Sequence, residues 1–161
     1  MTAHQSLEKD ALRSLLAGVR DTSWSWREQD VPALAARFGW DAIELIPGSG
    51  AVVDPGYGLG GKAYRMTFDN GDVHRITMRI SSKAAKDDAP GQAFLGDVFA
   101  DTTAMATEVL GAPTARTPGA RPEIRWRGKE STLILKQLGV GVTLSWASNA
   151  WQDRWDALDP E

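Results

Sequence analysis

A glycine-rich segment is the first place where residue types and spacing suggest chemistry. Gly56 to Lys62 reads G-x-x-x-x-G-K, the spacing of a phosphate-binding loop, and its glycines also read G-x-G-x-x-G. In both motifs the loop leads into a helix N-terminus, whose amides and dipole hold phosphate. Here Ala63 stands where a hydroxyl residue would bind magnesium, and a strand-like alternation follows it. We therefore expect no nucleotide site, and the segment is either a connector or a contact loop that presents Tyr57 to a partner.

Few other side chains could act in catalysis. The chain has no cysteine, which excludes thiol catalysis, disulfides and cysteine-bound metals, and its two histidines are His4 and His74. We expect His74 to be a partly buried structural residue and not a catalytic or metal-binding one. Three acidic residues share one edge of a predicted helix, as on a solvated face: Asp97, Asp101 and Glu108. We predict that the protein is not an enzyme and has no cofactor and no metal.

The composition is that of one folded domain. The chain has 161 residues, of which 42% are hydrophobic and 24% charged, and this predicts a single domain over residues 1–161. No apolar run approaches the roughly 20 residues that cross a bilayer, and no basic-then-apolar leader opens the sequence. The net charge of −3 argues against nucleic acid and anionic membranes as partners. We therefore expect a cytoplasmic location.

Two helices are predicted near the start of the chain. Apolar residues spaced at i, i+3, i+4 and i+7 from Leu12 to Val19 predict the first helix, with Ser6 as its N-cap. The second helix should begin after Asp30, carry Pro32 in its first turn and end at Gly39.

A β-hairpin is predicted around Asn70 and Gly71. A two-residue turn at these positions would set the apolar faces of the two arms against each other. A three-residue loop, with Gly71 at the left-handed position of a bulge, pairs Met66 with His74 and lets the apolar faces agree. We therefore predict the bulged turn, with a positive φ at Gly71.

The second half of the chain predicts a long helix, three strands and a last helix. The long helix should run from Asp88 to Gly111, and residues 124–127, 132–138 and 142–147 alternate as half-buried strands do. The last helix should begin at Asn149 and turn three apolar residues inward: Trp151, Trp155 and Leu158. The element order αα, strands, α, βββ, α predicts an α+β fold with an antiparallel sheet covered on one face by helices.

Several short stretches resemble an uncharacterised family of small actinobacterial proteins. They are Trp24-Ser25-Trp26, Val31-Pro32-Ala33-Leu34, Phe38-Gly39-Trp40, Asp88-Ala89-Pro90-Gly91, Phe94-Leu95, Phe99-Ala100-Asp101, Val109-Leu110-Gly111-Ala112-Pro113-Thr114, Pro122-Glu123-Ile124-Arg125-Trp126 and Val142-Thr143-Leu144. The family has no assigned activity. The resemblance implies a context, because such proteins look like immunity partners of secreted polymorphic toxins. The element order also resembles that of secretion chaperones, by analogy of fold alone.

These observations lead to three hypotheses of function. The first is an immunity protein that blocks the active site of a cognate toxin as a monomer in a 1:1 complex. The second is a chaperone-like dimer that binds an exported protein, and the third is a small nucleotide-binding or hydrolytic enzyme that uses the glycine-rich loop. The candidate contact residues, whose carboxylates would suit a basic toxin, are Asp54, Tyr57, Asp153 and Asp156.

Overall fold

An antiparallel sheet of eight strands organises the described part of the chain. The computed structural model describes residues 4–40, 42–56, 59 and 63–158. In that part the helices are α1 (Lys9–Asp21), α2 (Val31–Phe38), α3 (Ala89–Leu110) and α4 (Asn149–Leu158). The strands are β1 (Ala42–Ile46), β2 (Gly50–Asp54), β3 (Tyr64–Asp69), β4 (Asp72–Arg79), β5 (Ala115–Thr117), β6 (Glu123–Arg127), β7 (Ser131–Leu138) and β8 (Gly141–Ser148). They lie in the order β1-β2-β3-β4-β8-β7-β6-β5, which confirms the predicted α+β class.

The sheet has an inner face, which carries the main core, and an outer face on which α4 lies. Inward side chains of β8, such as Leu144 and Trp146, belong to the core that also contains Leu95 of α3. The alternate residue Ala147 points the other way, in register with Thr132 and Arg75 on the neighbouring strands. Helices α1 and α3 pack together over the inner face, whereas α4 packs on β4, β7 and β8 from the outer face. The expectation that the helices share one face therefore applies to α1 and α3 but not to α4.

The two front helices form as their patterns predict. The buried residues of α1 are Leu12, Leu15, Leu16 and Val19. Its N-cap is Glu8 and not the predicted Ser6, because Ser6 pairs with Ser81 in a β-bridge and the chain runs alongside the end of β4 before it turns into the helix. Helix α2 lies between Asp30 and Gly39 as predicted, and Gly39 has a φ of 74°.

Aromatic side chains converge on Trp146 at the centre of the inner face. Its ring lies 5.2 Å from that of Trp26, 5.7 Å from that of Phe38 and 6.4 Å from that of Trp24, measured between centroids. Its indole Nε1 donates a hydrogen bond to Ser131 Oγ at 2.8 Å. Trp146 is 1% exposed, so its burial contributes both apolar area and ring contacts to the core.

The β3–β4 hairpin forms, but the predicted three-residue loop is wrong. Asn70 and Gly71 alone form the turn, with φ values of 52° and 80°, as a type I′ turn requires. The predicted pairing of Met66 with His74 is also wrong, because Met66 pairs with Ile76. The register shifts by one residue within β4, where His74 has no partner in the ladder. This bulge brings the apolar faces of the two arms into agreement, as the predicted bulge at Gly71 would have done, but it lies within β4 and not in the turn.

Gly71→Ala should lower the free energy of unfolding by about 1 kcal/mol, because the positive φ of Gly71 is costly for a residue with a Cβ. Urea denaturation measures the change. Gly96→Ala is the matched control, since Gly96 lies within α3 and a Cβ there meets nothing within 4 Å. That control should be neutral or stabilising. A neutral Gly71→Ala would contradict the left-handed turn.

Candidate interaction surface

Two arginines of β6 hold α4 against the outer face. Arg127 donates to both carboxylate oxygens of Asp153, at 2.8 and 3.1 Å, and Arg125 donates to both oxygens of Asp156, at 2.8 and 3.2 Å. Hydrogen bonds from these guanidinium groups lower the pKa of Asp153 and that of Asp156 below the usual carboxyl range. Asp153 and Asp156 are two of the predicted contact residues, and the structure uses both in pairs within the chain.

The ion pairs and one buried amide fix the rotation of α4. Gln152 is buried beneath the helix, and its Nε2 donates to Asp156 Oδ1 at 2.9 Å. Successive residues turn by about 100° around a helix. Gln152 faces the sheet, and Asp153 and Asp156 face β6. The opposite flank of the helix therefore faces β4. That flank, called the tryptophan flank below, consists of Trp151, Trp155 and Leu158.

The tryptophan flank is a stacked and largely exposed apolar surface. The rings of Trp151 and Trp155 lie 5.5 Å apart and 16° from parallel, and His74 stacks on Trp151 at 5.6 Å. Trp155 is 49% exposed and Leu158 is 81% exposed. The prediction that these residues face inward is therefore wrong for Trp155 and Leu158, because the aspartate pairs set the helix rotation and place Gln152 underneath.

Arg75 lies beside this flank, and no described carboxylate forms an ion pair with it. Its guanidinium carbon is 5.2 Å from the centroid of Trp151, and its Nε is buried with no hydrogen-bond partner among the described residues. Burial lowers the pKa of Arg75. On the same face Arg125 and Arg127 each have an aspartate of α4, whereas opposite Arg75 the helix presents an indole.

The other predicted contact and catalytic residues lie elsewhere. Asp54 ends β2, where its Oδ1 accepts a hydrogen bond from the Gly56 amide at 2.9 Å and closes a local turn. Tyr57 lies outside the described residues, as do 58 and 60–62 of the glycine-rich segment. The segment is followed by strand β3 and not by a helix, so the helix N-terminus that both nucleotide motifs need does not follow it.

His74 is half-buried, as expected, but on the outer face and not opposite Met66. Besides its stack on Trp151, its Nε2 lies 3.9 Å from Asp69 Oδ2. Within the described ranges no three His, Cys, Asp or Glu side chains are grouped to hold a metal ion. None of the helices in the described part of the chain is long and apolar enough to cross a bilayer.

A separate cleft opens between the end of α1 and the β6–β7 turn. It has a volume of about 380 Å³, and its rim carries charged residues such as Arg20, Lys129 and Glu130. Glu130 accepts a hydrogen bond from Ser23, and Arg20 pairs with Asp21. Arg20 and Glu130 therefore bond to neighbouring surface residues, which is typical of a structural rim.

A family model of unknown function, DUF6301, matches residues 10–148. The chain belongs to DUF6301. The match confirms the expectation of an uncharacterised family and assigns no activity to it. The DUF6301 range includes all eight strands and most of α1, and it ends at Ser148, one residue before α4 begins. No curated protein and no solved structure matches the chain.

Proposed function

We propose that this member of DUF6301 is a non-enzymatic immunity protein that acts in the cytoplasm. It binds a cognate secreted toxin domain as a monomer in a 1:1 complex and blocks the toxin's active site. The observation that carries the proposal is the tryptophan flank, where Trp155 and Leu158 are exposed on a helix whose position is fixed from the other side.

The tryptophan flank has the physical properties of an interface centre. Tryptophan is enriched among the residues that dominate binding energy, and rigid anchors lose little entropy when a partner covers them. The stack on Trp151 restrains the Trp155 ring, and the Arg125–Asp156 pair restrains the helix backbone. An apolar surface held this rigidly favours a folded partner over the flexible segment that a chaperone would bind.

An immunity protein must bind tightly to keep its toxin silent. A nanomolar dissociation constant corresponds to about −12 kcal/mol, and interfaces of this strength bury about 800 Å² on each partner. The tryptophan flank supplies the apolar centre of such a surface. The neighbouring ion pairs of Asp153 and Asp156 would lie at its polar rim. These two predicted contact residues would then touch the partner at the edge of the interface.

Co-expression tests the proposal. The toxin candidate is the C-terminal domain of a secreted protein encoded beside this chain's gene. Cells that express it should die, and cells that also express this protein should survive. Purified together, the two proteins should form a 1:1 complex. If toxicity persists and the proteins do not associate, the immunity function is wrong. A dimer bound to an unfolded segment would instead favour the chaperone hypothesis.

Trp155→Ser should weaken toxin binding at least tenfold, because it removes an exposed aromatic anchor. Isothermal titration measures the dissociation constant. Ile46→Ser is the matched control, since Ile46 is 51% exposed but lies on edge strand β1, three strands from β4. The control should bind like the wild type. Equal binding by both variants would place the interface away from the tryptophan flank.

A further inference from the structure

Helix α4 covers only part of the outer face. It packs on β4, β7 and β8 and pairs with β6, whereas the outward side chains Arg65 and Thr67 of β3 are exposed. The tryptophan flank is the side of α4 that faces this uncovered part. Flank and sheet therefore form a wall and a floor that meet at Arg75, which contacts Trp151.

The floor contains three neighbouring arginines, here called the arginine cluster: Arg65, Arg75 and Arg79. Arg65 pairs in register with Thr77, so Arg75 and Arg79 are its two diagonal neighbours on β4. Diagonal side chains in an antiparallel pair lie about 7–8 Å apart. The positive charge of Arg65 contributes to lowering the pKa of Arg79, consistent with this proximity.

No described carboxylate forms an ion pair with any member of the arginine cluster. Arg79 donates to backbone carbonyls, including that of Leu59 at 2.6 Å. Arg75 has a buried Nε with no described hydrogen-bond partner, and Arg65 is exposed. The chain has a net charge of −3, and each β6 arginine is paired bidentately with an aspartate. The arginine cluster differs, because no described acidic side chain balances its charge.

We infer that the arginine cluster and the tryptophan flank together receive an acidic segment of the protein partner, in which Asp or Glu lies next to a large apolar residue. The carboxylates pair with Arg65 and Arg75, and the apolar side chain covers Trp155 and Leu158. This inference rests on the proposed function and specifies its partner: the toxin's contact segment is acidic, opposite in sign to the basic partner that Asp153 and Asp156 would suit.

A protein segment fits this surface better than a polyanion does. The wall is formed by indoles and a leucine, which offer no charge to a phosphate backbone. Tight nucleic-acid binding requires many phosphate contacts, and the net negative charge repels both nucleic acid and anionic membranes at long range. Paired carboxylate and apolar groups match both the floor and the wall.

A random peptide library displayed on phage tests the inference on the purified full chain. Enriched peptides should carry Asp or Glu within two positions of a large apolar residue. Their synthetic forms should bind at least tenfold more weakly to Arg65→Gln and Arg75→Gln, and binding should weaken with salt. Arg116→Gln is the control, because Arg116 is exposed on β5 at the opposite edge of the sheet.

Thermal unfolding separates recognition by Arg75 from a structural role. Because no described carboxylate pairs with Arg75, Arg75→Gln should melt no lower than the wild type while its peptide binding weakens at least tenfold. A melting temperature that falls together with peptide binding would show that Arg75 only supports α4. Enriched peptides without acidic residues would overturn the inference. So would arginine-dependent binding of a DNA duplex or of phosphatidylglycerol vesicles in place of peptides.

The outcome is separable from that of the toxin experiment. If acidic peptides bind through Arg65 and Arg75 but co-expression gives no rescue, the inferred binding of an acidic segment is supported and the immunity function is wrong. If this protein rescues cells and both arginine variants rescue equally well at limiting expression, the function holds and the acidic-segment inference fails.

Discussion

Trp146→Ala should lower the free energy of unfolding by about 3–5 kcal/mol, the usual cost of truncating a fully buried large aromatic side chain. The substitution removes the ring on which Trp24, Trp26 and Phe38 converge. It also leaves Ser131 without its indole donor. Urea denaturation followed by far-ultraviolet circular dichroism measures the loss.

Trp155→Ala is the matched control for Trp146→Ala, because it makes the same chemical change on an exposed helix surface. It should lower the free energy of unfolding by about 1 kcal/mol, well below the loss at Trp146, because Trp155 is 49% exposed and its ring stacks on Trp151. If the alanine variant of Trp146 does not fold, Trp146→Phe should fold with an intermediate loss. Equal effects at Trp146 and Trp155 would show that the aromatic cluster is not the centre of the core.

Arg125→Met should release α4 from the outer face at a cost of about 2 kcal/mol. The change removes charge-assisted hydrogen bonds to Asp156 and to Glu123 and leaves Glu123, a half-buried carboxylate, with Lys136 as its remaining ion-pair partner. The expected cost is below that of breaking a fully buried pair, because the Asp156 side chain is 42% exposed and solvent screens the pair. Trypsin should then cleave after Arg154 faster than in the wild type.

Arg127→Met is the control for Arg125→Met. The pair of Arg127 with Asp153 is more exposed, so its removal should cost less stability.

Acid should also loosen α4 in the wild type. The pKa of Asp156 is lowered by its hydrogen bonds, so the stabilisation is present above the ordinary carboxyl value of 3.8 and is lost as pH falls through the lowered pKa. Cleavage after Arg154 that is unchanged in Arg125→Met would mean that other contacts hold the helix.

The elements that the sequence predicted well are those whose signals are local. The first helix follows from apolar spacing, and the second from Pro32 and Gly39 at its ends. Strands β6, β7 and β8 form where apolar alternation predicts them, but the burial alternates only in β6. In β7 and β8 consecutive residues are buried, because α4 also packs on these strands from the outer face. Strand β5 was not predicted, because its three residues are all exposed and have no apolar alternation.

The placement of α4 depended on partners distant in sequence. Its tryptophans and leucine suggested an apolar inner face, but the outer face of β6 offers Arg125 and Arg127, two residues apart, to carboxylates three apart on the helix. Alternating arginines on a strand with a matching pair of aspartates on a terminal helix were a readable signal of this docking. The role of Arg75 had no such signal, because what marks it is a buried Nε that finds no hydrogen-bond partner in the part of the folded chain that the structure describes.

The bulge at His74 also limits how the length of the hairpin can vary. Val73, just before His74, pairs with Phe68, and Arg75, just after it, pairs with Thr67. The pairing between β3 and β4 is therefore complete without His74. Deleting that one residue would leave a regular hairpin with every buried side chain still buried. Deleting a residue elsewhere within β3 or β4 would exchange the buried and exposed sets of part of one arm. Within β3 and β4, His74, whose imidazole stacks on Trp151, is therefore the residue whose deletion the hairpin would tolerate.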